Sequence, residues 1–89
     1  MRNMEEYELL DKSGEKIVEI VVFSDGKCVA KWVNSEISSV IVYDSLTDFC
    51  AVSLNNERKL FSIEPDSYGD INLGNTFDVT NIYNRRHSI

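Results

Sequence analysis

Runs of β-branched and aromatic residues separated by short polar turns dominate the chain and predict strands. The segment "EEYELL" alternates Tyr7 and Leu9 with polar positions, and "KIVEIVVF" (16–23) is almost entirely apolar. Lys12-Ser13-Gly14 and Asp25-Gly26 have the composition of tight turns between neighbouring strands. The first third of the chain therefore predicts three antiparallel strands.

Two more strands and one helix follow. The stretch "SVIVYD" (39–44) is rich in β-branched residues, and "ERKLFSIEP" (57–65) gives another strand that Pro65 ends. Between them, "DSLTDFCAVSLNN" has apolar residues at helical spacing, with Ser45 as the N-cap. The predicted fold class is α+β: an antiparallel β-sheet in the order β-β-β-β-α-β with one short helix and a C-terminal extension, in which Phe77 and Val79 suggest a short strand.

A two-residue type I′ turn at Asp25-Gly26 would set the register of the second hairpin, with Phe23 opposite Cys28. Both faces of this hairpin are then apolar. One face holds Ile17, Val21, Phe23, Cys28, Ala30 and Trp32. The other, which we predict to be a partner-binding sheet face, holds Val18, Ile20, Val22, Val29, Lys31 and Val33.

One short helix can cover only part of one face of such a sheet. The face with Trp32 is suited to a helix that contributes Phe49, which leaves the valine-rich face in need of cover. Three alternatives stay open: the C-terminal extension, a second copy in a homodimer, or a foreign partner. The extension would use Ile71, Leu73, Phe77 and Ile82.

Length and composition predict one small domain over residues 1–84 with a flexible tail at 85–89, since 89 residues rarely support two cores. The longest apolar runs are too short to span a bilayer, and the acidic start lacks the pattern of a signal peptide. We expect a soluble protein that stays in the cytoplasm of its host cell and does not associate with membranes.

Fifteen acids against nine bases give a net charge of −6, which argues against direct binding of nucleic acid. An acidic surface can instead engage a basic site on another protein, although simple solubility is the alternative. The acids predicted to bind a partner are Asp44, Asp48, Glu64, Asp66 and Asp70.

Groups for catalysis are sparse. Cys28 and Cys50 are predicted to be small buried hydrophobes, and the single histidine, His87, lies two residues from the end of the sequence. The loop "DSYGDINLGN" lacks the ligand spacing of a calcium site. We expect no enzyme activity, no metal and no cofactor.

The segments "FSDGKCVAKW" and "VIVYDSLTDF" together resemble small uncharacterised proteins encoded by phages and prophages. In those proteins a strand, a DG turn, a strand ending in Trp and a Tyr-x-Ser-Leu-x-Asp segment follow in this order. The likeness covers about residues 17–63 and implies a viral or mobile-element origin.

Three functions are compatible with these features. The first is an interaction protein that binds and inhibits a host protein, such as a nucleic-acid-targeting defence component of the CRISPR effector kind. The second is an oligomer that sequesters a nucleotide signal, for which Lys31, Arg58, Lys59, Arg85 and Arg86 could gather. The third is a structural or assembly component of a virion.

Overall fold

The structure is a computed structural model that describes residues 4–33, 39–64 and 75–83. These residues form six strands and two helices: β1 (Glu5–Leu10), β2 (Lys16–Val22), β3 (Cys28–Trp32), β4 (Ser39–Tyr43), α1 (Leu46–Ser53), β5 (Lys59–Glu64), β6 (Asn75–Asp78) and α2 (Thr80–Tyr83). The strands form one sheet in the order β4-β3-β2-β1-β5-β6, with all neighbours antiparallel. The α+β prediction is confirmed in outline, and the single-turn helix α2 is an addition to it.

Helix α1 connects the edge strand β4 to β5, which lies beside β1 on the far side of the sheet. The chain therefore crosses three strands, and it does so on one face, which we call the covered face. Ser45 caps α1 as predicted, since its hydroxyl accepts a hydrogen bond of 3.1 Å from the Asp48 backbone N–H.

Phe49 of α1 is the centre of the core. It is fully buried, and its ring lies 5.3 Å from the Tyr43 ring in an edge-on geometry and 6.5 Å from the Trp32 ring. The guanidinium of Arg58 lies 5.7 Å from the centre of the Trp32 ring. The buried apolar residues of the core, from the sheet and from α1 with its C-cap, are Tyr7, Leu9, Ile17, Val18, Ile20, Cys28, Ala30, Leu46, Phe49, Cys50, Leu54 and Leu60.

The two hairpin loops share one hydrogen-bond pattern. In the second loop the Phe23 N–H donates to the Lys27 carbonyl (2.9 Å) and the Gly26 N–H donates to the Phe23 carbonyl (2.8 Å). Asp11, Gly14 and Glu15 repeat the same pattern in the first loop. Each loop has three residues and ends in a glycine with positive φ, 89° at Gly14 and 93° at Gly26.

The predicted type I′ turn at Asp25-Gly26 is therefore wrong, because no described residue other than glycine has a positive φ. The extra loop residue shifts the register by one position, so Cys28 lies opposite Val22 rather than Phe23. Since side chains alternate between faces, this shift places every side chain of β2 on the opposite face from the one predicted relative to β3.

The predicted valine-rich face is split by this shift. Val18 and Ile20 are buried on the covered face, and Val22 packs against the same core. Val18 lies opposite Trp32, and Ile20 lies opposite Ala30. Val29 and Lys31 lie on the other face, where Val21 joins them. Val33 follows the end of β3 and is exposed.

The described part of the C-terminal extension, one of the three covers considered for the valine-rich face, packs on the covered face instead. Val79 and Tyr83 pack against the core on the covered face, and the Tyr83 ring meets the Tyr7 ring edge-on at 6.2 Å. Phe77 and Ile82 are exposed, while Ile71 and Leu73 lie outside the described residues.

Replacing Gly26 with Val should destabilise the domain strongly. A Cβ at this position would meet nothing within 4 Å, so the penalty comes from the backbone, which a β-branched residue disfavours at φ +93° by at least about 1–2 kcal/mol. Thermal unfolding should show a lower midpoint for Gly26→Val and a smaller loss for Gly26→Asn, since Asn tolerates positive φ. Equal losses in the two variants would contradict this explanation.

The Asp11 carboxylate should stabilise the first hairpin in a pH-dependent way. Its Oδ1 accepts hydrogen bonds from Ser13 N–H (2.9 Å), Ser13 Oγ–H (2.7 Å) and Glu15 N–H (3.0 Å), which lower the pKa of Asp11 from its ordinary 3.8. A lowered pKa contributes stability above pH 3.8 that is lost as pH falls through the folded-state pKa.

We expect Asp11→Asn to lower the thermal midpoint at pH 7, with the difference from wild type shrinking as the pH falls below 3.8 and through the lowered pKa of Asp11. Glu15→Gln is the matched control, because that carboxylate has no hydrogen bond or ion pair within the described residues. A constant difference between Asp11→Asn and wild type from pH 7 to pH 2 would show that the charge of Asp11 is irrelevant.

Candidate functional site

The sheet face opposite α1, which we call the open face, has no helix over it in the part of the chain that the structure describes. Its side chains follow from the registers of the six strands. They are Glu6, Glu8, Leu10, Glu19, Val21, Val29, Lys31, Val40, Val42, Lys59, Phe61, Ile63, Thr76 and Asp78.

One row across the open face is mainly apolar. Val42, Val29 and Val21 are consecutive cross-strand neighbours, followed by Glu6 and Ile63. Val42 is 64% exposed, whereas Val21, Val29 and Ile63 are partly buried by their neighbours. This row supplies an apolar strip that is long enough to contact a partner.

The next row is charged at its centre. Glu8 on β1 lies directly opposite Glu19 on β2, and Glu19 in turn lies opposite Lys31. Glu19 also forms an ion pair of 3.0 Å with Lys16, while Glu8 has no ion pair among the described residues. Like charges opposite each other destabilise a sheet, so the Glu8–Glu19 pair costs the free protein stability.

Of the five acids predicted to bind a partner, Asp44 and Asp48 are the two whose side chains the structure describes. Asp44 is exposed after β4 and pairs with Lys27 at 3.3 Å, and Asp48 lies in the first turn of α1. Glu64 belongs to β5, but its side chain is outside the described part, as are Asp66 and Asp70 entirely. The acids of the open face, Glu6, Glu8 and Glu19, are absent from the predicted set.

These glutamates could have been found from the alternation in "EEYELL". If Tyr7 and Leu9 point into the core, Glu6 and Glu8 must point the other way. Their meeting with Glu19 depends on the register of β1 with β2, which is irregular between Leu9 and Leu10. The sequence therefore predicts that Glu6 and Glu8 share a face, but it does not predict that Glu8 lies opposite Glu19.

Two adjoining clefts flank the first hairpin loop. One, of about 370 Å³, is lined by residues that include Lys12, Lys59 and Phe61. The other, of about 400 Å³, includes Lys12 and Arg58. Asp11 lines both clefts, and the Arg58 side chain is tied to the Ser53 carbonyl by a hydrogen bond of 2.8 Å. These clefts place three cations and an aromatic ring near one end of an acidic protein.

Both cysteines are fully buried and free. Burial raises the pKa of the Cys28 thiol to about 11 and, with a contribution from Cys28, that of Cys50 to about 12, so neither is a thiolate at neutral pH. His87 lies outside the described residues. No group of three or more metal-ligating side chains occurs among residues 4–33, 39–64 and 75–83.

Within those same ranges, no helix has the length and apolar character needed to cross a membrane. No curated protein and no solved structure matches the chain significantly. A family model, described as Acb5 phage protein, matches residues 12–62, which is more than half of the chain. The matched stretch contains β2, β3, β4 and α1 completely and most of β5. The chain therefore belongs to the Acb5 family of phage proteins, where Acb stands for anti-CBASS, and it is a phage anti-defence protein.

Proposed function

We propose that this protein counters host defence by binding a defence protein through the open face and blocking that protein's activity. The observation that supports this most is the Glu8–Glu19 pair at the centre of a sheet face that neither helix of the described residues covers. The pair is unfavourable in the free protein, and a cationic partner would relieve it.

The charge of the open face fits a basic partner. Glu6 and Glu8 on β1 and Glu19 on β2 place three acids around one point, where Lys16 pairs with Glu19 at 3.0 Å and Lys31 lies opposite Glu19 on β3. A net charge of −6 adds long-range attraction to a basic surface and would speed encounter with it. Sites that handle nucleotides or nucleic acids are basic surfaces of this kind.

The apolar flanks would supply the rest of the binding energy. Val21 and Val29 border the acids on one side, and Phe61 and Ile63 border them on the other. All four are only partly buried. A partner with a basic centre and an apolar rim would desolvate these side chains when it covers the acids.

The family name directs the first tests to CBASS as the defence system that is inhibited. The CRISPR effector considered from the sequence stays a prediction, as does the role of a virion component. Which protein of the defence system is bound is left to the experiment.

Replacing Glu8 with Gln should separate folding from function. The free protein should become more stable by roughly 0.2–1 kcal/mol, because the unfavourable cross-strand pair is removed. Anti-defence activity in infected cells and affinity for the host partner should fall, with affinity lower by about tenfold, or about 1.4 kcal/mol.

Glu15→Gln is the matched control, since it makes the same change in net charge at an exposed loop position off the open face. Binding of the host partner by the wild-type protein should also weaken as salt rises from about 50 to 500 mM, because the screening length shortens. Full activity of Glu8→Gln in cells, together with unchanged binding, would refute a role for the open face.

Sequestration of a nucleotide is a second candidate function, and the two clefts favour it. Lys12, Arg58 and Lys59 could contact phosphates, and the Phe61 ring could stack on a base. The carboxylates of Asp11 and Glu57 in the same clefts oppose this. Of the other cations considered from the sequence, Lys31 lies on the open face, and Arg85 and Arg86 are outside the described residues.

A nucleotide that binds these clefts should raise the unfolding free energy by about 2.7 kcal/mol at 100 times its Kd. We would measure thermal midpoints with mono-, di- and cyclic nucleotides for wild type and Lys59→Ala. Stabilisation that Lys59→Ala abolishes and Glu8→Gln retains would favour sequestration over the host-protein proposal. Unchanged midpoints with every nucleotide would remove the second candidate.

A further inference from the structure

Strand β4 forms one edge of the sheet and has no charged residue. Its sequence is Ser39-Val40-Ile41-Val42-Tyr43, and the three central side chains are 61%, 43% and 64% exposed. Edge strands are normally protected by charges, proline or short length, because their free backbone groups attract other strands. Strand β4 contains neither a charge nor a proline.

The ladder pattern identifies which backbone groups of β4 are free. At the two ends of the β2–β3 ladder, the Phe23 N–H donates to the Lys27 carbonyl and the Val33 N–H donates to the Ile17 carbonyl. Because hydrogen-bonded pairs alternate along an antiparallel ladder, Val29 and Lys31 also direct their backbone groups to β2. Cys28, Ala30 and Trp32 must then bond β4, through Tyr43, Ile41 and Ser39. This leaves the N–H and C=O of Val40 and Val42 pointing outward from the edge.

The other edge of the sheet differs. Strand β6 includes a charged residue, Asp78, whose carboxylate accepts hydrogen bonds from the Thr80 N–H and hydroxyl. A charged side chain is one of the usual protections of an edge. The contrast makes β4 the edge that is open to pairing.

We propose that β4 pairs antiparallel with β4 of a second copy, with the twofold axis at Ile41. In this register Val40 lies opposite Val42 of the other copy, and each pair exchanges two hydrogen bonds, so all four outward groups of each strand are used. The sequence Val-Ile-Val reads the same in both directions, so β-branched side chains meet at each of these positions. The result is one continuous sheet of twelve strands.

Association of two chains of charge −6 is opposed by long-range repulsion, while the contact strands themselves are uncharged. Screening should therefore strengthen the dimer as salt rises. This is opposite to the salt dependence expected for binding of a basic partner through the open face, so the two associations can be told apart.

Val42→Pro is the decisive variant. Proline removes an N–H that points away from β3, so the monomer keeps its hydrogen bonds, but two of the four across the proposed dimer axis are lost. Sedimentation equilibrium and light scattering on purified protein should show a dimer for wild type and for Val42→Thr, and a monomer for Val42→Pro. Circular dichroism should show that all three are folded.

The register is tested by cross-linking. Ile41→Cys places two thiols at a non-hydrogen-bonded pair, where the Cα atoms are roughly 4.5 Å apart, within disulfide reach. Val40→Cys places them on a diagonal of roughly 7–8 Å and should cross-link much more slowly with oxidised glutathione. The native cysteines are buried and should not compete.

A wild-type monomer at about 100 µM would overturn the proposal, as would a dimer that persists in folded Val42→Pro. If Val42→Pro fails to fold, Val40→Lys with Val42→Lys replaces it, with Val52→Lys on α1 (Val52 is 74% exposed) as the control. A third outcome is that wild type is a monomer, and that Val42→Pro loses anti-defence activity while Val42→Thr keeps it. In that case β4 would pair with a strand of a foreign protein, and pairing with a second copy would be overturned. Sedimentation, light scattering and cross-linking need no host protein, so the oligomeric state is measured independently of the open-face proposal.

Discussion

The packing of Phe49 against Trp32 and Tyr43 is the contact on which the rest of the structure depends. It fixes the only long connection of the described chain, the crossover from β4 to β5, onto one face of the sheet. Because that helix has only eight residues, it can bury one face and cannot reach the other. Arg58 extends the same cluster by stacking on Trp32 and bonding the Ser53 carbonyl, which links the end of α1 to the start of β5. The open face thus lacks a helix because α1 packs on the covered face, against Trp32 and Tyr43.

Much of the fold could be predicted because local chemistry determines it. Ser45 and the spacing of Leu46, Phe49 and Cys50 specify the helix, and the β-branched runs specify the strands. The register could not be predicted, because Asp25-Gly26 is compatible with a two-residue loop and with a three-residue loop that ends in glycine. A difference of one loop residue exchanges the two faces of β2, which is why Val18 and Ile20 were assigned to the wrong side.

The position of the acids in the candidate site depends on two features of the β1–β2 pairing, the loop between the strands and an irregularity within the ladder. This explains why these acids were not predicted as a site. Glu8 and Glu19 are eleven positions apart and become neighbours only after the first loop and the irregularity next to Leu10 are known. Val29 and Lys31 were assigned to the exposed face because β3 alternates regularly and Ala30 and Trp32 must face the helix. A site made of one strand can be read from alternation, whereas a site made across strands requires the pairing.

The exposed apolar edge and the acidic open face would respond to salt in opposite ways, since salt favours pairing of two negative chains and weakens binding of a basic partner. Pairing through β4 would bring two net negative chains together and would extend the valine row of each open face toward the axis at Ile41, since Val42 ends that row. Because both copies lie in one sheet related by a twofold axis along the sheet normal, their open faces would point to the same side. The acids around Glu8 lie three strands from the edge in each copy, so they would remain uncovered by the dimer contact. Such a dimer would present two acidic centres separated by the paired β4 strands, with Lys31 of each copy between its acids and β4. A host protein with two basic sites would bind it more tightly than either site alone allows.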